Sequence, residues 1–147
     1  MPISGTPKNN SSLDSAAGAN QVTKSRIVFL GTGTSEGVPR VSCLTNPDSN
    51  CTVCPDAVKP GSPNRRRNTS LLIQRKFSDG RTSNIVIDAG KFFYESAIQL
   101  FPKFDVRTID ALVITHAHAD AVGGFDDLRD WTNNAQESLP IYLREVD

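Results

Sequence analysis

Alternating β-rich runs and amphipathic stripes predict an α/β (α+β) fold for this chain. Three observations carry that expectation. Short runs rich in Val, Ile and Leu, at residues 26–30, 69–74, 84–88 and 110–115, are bounded by Gly, Asn, Asp or Ser and read as strands. Between the third and fourth runs, Phe93, Ala97, Leu100 and Phe101 recur on one face of a helix over residues 91–101, which Pro102 closes. Asp79-Gly80 between the second and third runs is a hairpin signal.

Bulk properties bound the rest. The chain has 147 residues, enough for one domain with a core. Lys plus Arg and Asp plus Glu are both 16, for a net charge of zero. That balance argues against a globally basic nucleic-acid binder. No apolar run approaches the roughly 18 residues of a membrane span, so no membrane partner is expected. Three cysteines cannot close a disulfide framework. With no secretory signal, they suggest a reducing, cytoplasmic setting. Residues 1–25 are rich in Ser, Asn, Ala and Gly and are expected to be disordered, with one domain over residues 26–147. The Ser-rich, acid-poor start keeps organellar targeting as a lesser alternative, although it lacks the arginines of a transit peptide.

In chain order, the first strand runs into Gly31-Thr32-Gly33-Thr34-Ser35-Glu36-Gly37-Val38-Pro39. The spacing is wrong for a dinucleotide fingerprint, and no amphipathic helix follows. The glycines suit turns of positive φ, or backbone passing close beneath a site. Cys43 and the pair Cys51-x-x-Cys54 come next; thiolates at that spacing grip zinc, and three of them want a fourth ligand. Asp48 and Asp56 are the carboxylates at hand. The pair lies in a Pro- and Asn-rich stretch read as loop, which weighs against a redox role. Arg65, Arg66 and Arg67 are the basic run, either a solvated face or candidate phosphate contacts. Asp88 ends a strand, where it caps a helix or supports a metal-bound histidine.

The densest chemistry is Thr115-His116-Ala117-His118-Ala119-Asp120, which follows the last of the buried strands and precedes Gly123-Gly124. Both histidines of the protein are here. If the segment is extended, positions i, i+2 and i+4 share one side, so two imidazoles and a carboxylate converge on a divalent ion. Phe125, Leu128 and Trp131 then mark a short amphipathic helix, and residues 140–143 start another strand.

Taken in order, the glycine loop, the cysteine cluster, Asn-Arg-Arg-Arg-Asn-Thr-Ser, Ile-Asp-Ala-Gly, Thr-His-Ala-His-Ala-Asp and Asp-Asp-Leu-Arg resemble the metallo-β-lactamase superfamily. The branch is similar to the phosphoribosyl cyclic phosphodiesterases, and less so to the tRNA 3′-processing endonucleases. The resemblance covers about residues 26–143. It implies roughly the first half of an αββα sandwich. It implies His116 and His118 as ligands of one metal, with Zn or Mn there. Asp120 is implied as ligand of a second and as the catalytic group that orients the attacking water. It further implies structural zinc at Cys43, Cys51 and Cys54, and Asp88 as support of the histidine loop. The implied activity is a metal-dependent hydrolase, a phosphodiesterase acting through activated water on a small phosphodiester or phosphorylated substrate. A non-catalytic metal-binding or interaction remnant, and a tRNA 3′-processing-like endonuclease, are the alternatives. Two departures qualify it. The signature's last histidine is Ala121, and no histidine follows His118, so the chain alone is expected to lack ligands and turnover. It is expected to be the N-terminal part of such a domain, with a homodimer as one way to complete the site.

Overall fold

In the computed structural model, residues 21–145 are described; most of the segment expected to be disordered therefore lies outside the described residues. The strand over the first apolar run starts earlier than expected. β1 spans Val22–Gly31, followed by the short helices α1 (Val41–Thr45) and α2 (Val53–Ala57). β2 (Ser70–Phe77) and β3 (Thr82–Ile87) form a hairpin, and α3 (Phe93–Leu100) and a 3₁₀ turn (Pro102–Phe104) lead to β4 (Ala111–Val113). α4 (Ala119–Val122), a second 3₁₀ turn (Asp126–Leu128), α5 (Arg129–Asn134) and β5 (Ile141–Tyr142) complete the described fold.

The early start of β1 has a backbone cause. β2 is long enough to pair with Val22 opposite Phe77, and Thr23 Oγ1 donates to the Lys76 carbonyl at 3.2 Å. Pairing orders a stretch in which Val22 is the one apolar residue before Ile27.

The strands form a single sheet in the order β1-β2-β3-β4-β5, antiparallel across the first two pairs and parallel across the last two. One face is covered. Val28, Leu30, Leu72, Val86 and Leu112 are buried there with Phe93, Ala97 and Phe101, three of the four residues of the predicted helical stripe. Trp131 packs edge-on against Phe101, with ring centres 5.6 Å apart. Each fully buried aliphatic side chain contributes roughly 1.5–3 kcal/mol, so this layer is the main hold on the sheet. Parallel strands buried on one side deliver their C-terminal ends to the same rim. There, β3 hands over to Asp88 and β4 to Thr115.

Candidate metal centre

The loop after β4 does not continue as a strand. His118 is extended at the N-cap of α4, and Asp120 sits in the first turn of that helix. The convergence predicted from strand alternation is real but has another cause: the chain bends at residues 115–118 and then winds into a helix. His116 and Asp120 thereby become helix-like i, i+4 neighbours, with Nε2 and Oδ1 3.4 Å apart. The rings of His116 and His118 meet edge-on with centres 5.1 Å apart. One ligating atom from each of His116, His118 and Asp120 lies within 4.8 Å of the others.

Backbone close approach holds this loop down. A Cβ on Gly90 would lie 2.0 Å from the Asp120 carbonyl oxygen, so only glycine lets the turn after β3 pass beneath α4. Asp88, just before it, is buried at φ 60°, a left-handed conformation in which Asp is one of the few tolerated residues. Its Oδ1 accepts from the Thr115 N–H at 2.8 Å and its Oδ2 from the Thr115 hydroxyl at 2.7 Å. Asp88 thus supports the histidine loop through Thr115, not by a direct bond to a histidine.

The glycine loop supplies the other brace. Ser35 Oγ donates to Asp120 Oδ2 at 3.0 Å. Asn68 donates from its amide to the carbonyls of Thr34 and Ser35, at 3.1 and 3.0 Å, fixing that loop. The Ser35 hydrogen bond holds the Asp120 carboxyl below the usual carboxylate range. Of the two readings that the glycine loop allows, turns of positive φ or backbone close to a site, its backbone lies against the site; the roles of Ser35 and Thr115 rest on tertiary contacts that residue type does not reveal.

Ala121 is 1% exposed and belongs to the core, with its carbonyl accepting from Ala89 N–H at 2.7 Å. The position of the signature's last histidine therefore holds an apolar core residue with no side-chain donor atom.

The cysteines also come together, with the sulfurs of Cys43, Cys51 and Cys54 within 4.8 Å of one another and Cys54 buried. The C-x-x-C pair is not in an open loop. Cys51 lies just before α2, whose first turn carries Cys54, and the Cys54 N–H points at Cys51 Sγ at 3.4 Å. That hydrogen bond, with Cys43 alongside, pulls the Cys51 thiol down to about 7. Neither Asp48 nor Asp56 joins the cluster among the described residues. The Asp56 carboxylate is taken by Ser62 at 2.8 Å, Asn64 at 2.9 Å and Lys59 at 3.2 Å.

Arg65, Arg66 and Arg67, a solvated face or candidate phosphate contacts by sequence, are engaged within the chain. Arg65 and Arg67 converge on Glu95 of α3, at 3.1 and 3.3 Å, and Arg66 donates to the carbonyls of Pro63 and Arg65. Arg65 and Arg67 line a cavity of about 470 Å³ that includes none of the histidine-cluster residues. The physical reason is local. The Arg66 and Arg67 backbone pairs with the glycine loop (Arg66 N–H to Val38 O, 2.9 Å; Gly33 N–H to Arg67 O, 2.6 Å), and α3 offers the nearest carboxylate.

The donor chemistry fits metal at both places. A borderline set of two imidazoles and an ionised carboxylate suits Zn or Mn, and three thiols, one already acidified, suit Zn.

The fold and these two clusters define a class: an α/β domain with a His-x-His-x-Asp loop at the C-terminal rim of a mixed sheet. The sequence profile of the metallo-beta-lactamase superfamily matches residues 63–145, more than half of the chain. The chain belongs to the metallo-β-lactamase superfamily, and its described fold corresponds to part of that fold. The structure is similar to the crystal structure of a diphosphatase from the PhnP family, with a TM-score of 0.63 and 28% identity over 85% of this chain. The sequence is 40% identical over 104 residues, 71% of this chain, to an octanoyltransferase of Porphyromonas gingivalis (strain ATCC BAA-308 / W83). The chain spans 43% of the length of the diphosphatase and 18% of the length of the octanoyltransferase. No helix among the described residues is long and apolar enough to cross a membrane.

Proposed function

We propose that this chain carries one arm of a metal-dependent hydrolase site that acts on a phosphodiester or diphosphate linkage in a small phosphorylated substrate. The observation that supports it is the meeting of His116, His118 and Asp120 within 4.8 Å at the rim of the sheet. The likeness to a diphosphatase favours phosphoryl chemistry. The octanoyltransferase is matched over 18% of its length, too little to carry acyl transfer to this chain.

His116 and His118 are the residues that would hold a cation, with Asp120 as its anionic partner. A divalent ion held there supplies Lewis-acid polarisation of a phosphoryl oxygen and activation of water. The protein's own contribution is orientation. Ser35 fixes one oxygen of Asp120 and leaves Oδ1 turned toward His116 Nε2, 3.4 Å away, where it would face a held ion and orient its water. The thiols of Cys43, Cys51 and Cys54 are the residues that would hold a structural zinc, which would tie α1 to α2.

Among the described residues, the three donors gathered here are fewer than a two-ion hydrolase site uses, and Ala121 adds none. The 147-residue chain is therefore expected to bind phosphate through a held ion without turning over bis(p-nitrophenyl) phosphate. The ³¹P relaxation of inorganic phosphate should be enhanced by Mn²⁺-loaded protein, and the enhancement should vanish in His116→Ala and Asp120→Asn. An enhancement that survives both substitutions would place the ion elsewhere and refute the assignment.

A further inference from the structure

Thr115 lies between Asp88 and His116, and a count of its single hydroxyl proton decides what His116 can do. Thr115 Oγ1 is 2.7 Å from Asp88 Oδ2 and 2.9 Å from His116 Nδ1. Asp88 already accepts the Thr115 N–H and is buried, so its carboxylate is an acceptor-only group in a place where an unpaired oxygen is costly. Hydrogen bonds to carboxylates are about twice as strong as those between neutral groups. The hydroxyl proton therefore goes to Asp88, and Oγ1 offers His116 a lone pair. Nδ1 must then carry the imidazole proton, and the lone pair of the neutral ring sits on Nε2.

That nitrogen faces Asp120 Oδ1 at 3.4 Å. Two electron-rich atoms held face to face repel each other unless a cation joins them. Both sides are fixed beforehand, since Ser35 engages the other oxygen of Asp120. The backbone of Asp88 is also anchored, its N–H donating to Val113 O at 2.9 Å and its carbonyl accepting from Ser70 Oγ at 2.8 Å.

We infer that Thr115 is a positioning residue that relays the buried Asp88 carboxylate to His116 Nδ1 and so fixes the tautomer presenting Nε2 to a cation. Its consequence for metal binding rests on the proposed metal site; the tautomer itself does not.

The test is long-range ¹H–¹⁵N correlation of the His116 ring in the metal-free, full 147-residue protein, at a pH where imidazole is neutral. The expected spectrum shows a protonated Nδ1 and a bare Nε2. Thr115→Val should shift the ring toward the other tautomer, and Thr115→Ser, which keeps the hydroxyl, should restore the original. Mn²⁺ affinity at the histidines should fall about 10–100-fold in Thr115→Val and recover in Thr115→Ser. A wild-type ring protonated at Nε2 overturns the relay, and this spectrum decides the matter even if Thr115→Val does not fold. An unchanged tautomer in a folded Thr115→Val protein overturns it equally. A tautomer that shifts as expected with unchanged metal affinity upholds the relay and counts against the metal site instead.

Discussion

Individual side chains carry two kinds of information here, and the metal clusters show the difference. Residue type alone made His116, His118, Asp120 and the three cysteines legible, because few other groupings serve as ligand sets. The partners that orient them, Ser35 and Thr115, are common polar residues whose role depends on contacts 85 and 27 positions apart, to Asp120 and Asp88 respectively. Softness separates the clusters: three thiolates should outcompete two imidazoles and a carboxylate for zinc. Cys51→Ser should therefore lose more zinc on elemental analysis than His116→Ala; the reverse order would contradict the structural role of the cysteines. Away from both clusters, Asp79 offers a clean pH test. Arg81 grips its carboxylate at 2.6 Å and donates its N–H at 3.0 Å, holding Asp79 below its ordinary value of 3.8. A carboxyl lowered by folding stabilises the folded state above the unfolded value, and that contribution disappears as pH falls through the lower, folded one. Acid should loosen the β2–β3 turn below about pH 3.8, read from the Arg81 amide shift, and Asp79→Asn should abolish that transition.

Elements were legible where one physical cause dominated. The stripe of α3 reads directly from Phe93, Ala97 and Phe101 because a single buried face selects those positions, and the hairpin from Asp79-Gly80 because Gly80 adopts φ 87°. Where tertiary pairing decided, local pattern misled. β1 starts at Val22 because β2 is there to pair with it. The histidine loop turns into α4, where alternation suggested a straight strand, because the Gly90 turn leaves room for a helix against it. Two residues of the basic run, Arg65 and Arg67, reach Glu95 on a helix nearly thirty residues away, and Arg66 turns to the carbonyls of Pro63 and Arg65, contacts that the run itself does not reveal. Gly90 is thus the point where two elements depend on one hydrogen atom. A methyl group there meets Asp120 backbone at 2.0 and 2.6 Å, and backbone cannot swing aside as a flexible side chain would. Gly90→Ala should cost about 1–3 kcal/mol, seen as a lower urea midpoint, and should weaken Mn²⁺ binding by shifting Asp120. An unchanged midpoint would mean that α4 is free to move away without loss.

At the scale of the whole molecule, the register writes out a second apolar surface. Phe29, Leu71, Ile87, Val113 and Tyr142 are paired neighbours across all five strands, and Ile27, Ile73, Ile85 and Ala111 form the adjacent row. These residues alternate with the buried positions and so point away from α3. Ile27 and Phe29 are 62% and 65% exposed. Part of an αββα sandwich would present such a face, and Leu71, Ile73, Ile85, Ile87 and Val113 are only half-buried on it. Contiguous apolar surface of this kind drives association. The 147-residue protein should therefore show a sedimentation mass that rises with concentration and should bind an apolar dye. Replacing Ile27 and Phe29 together by Thr keeps residues that favour strands while removing apolar area. Because both side chains are mostly exposed, each change should alter stability by only about 0.5 kcal/mol. The double variant should associate less and bind less dye while its far-ultraviolet spectrum stays the same. A wild-type protein that sediments as a monomer at every concentration, with no dye binding, would show that this face is covered from within the chain. In that event the most exposed rows of the sheet would have to be packed by residues outside 21–145.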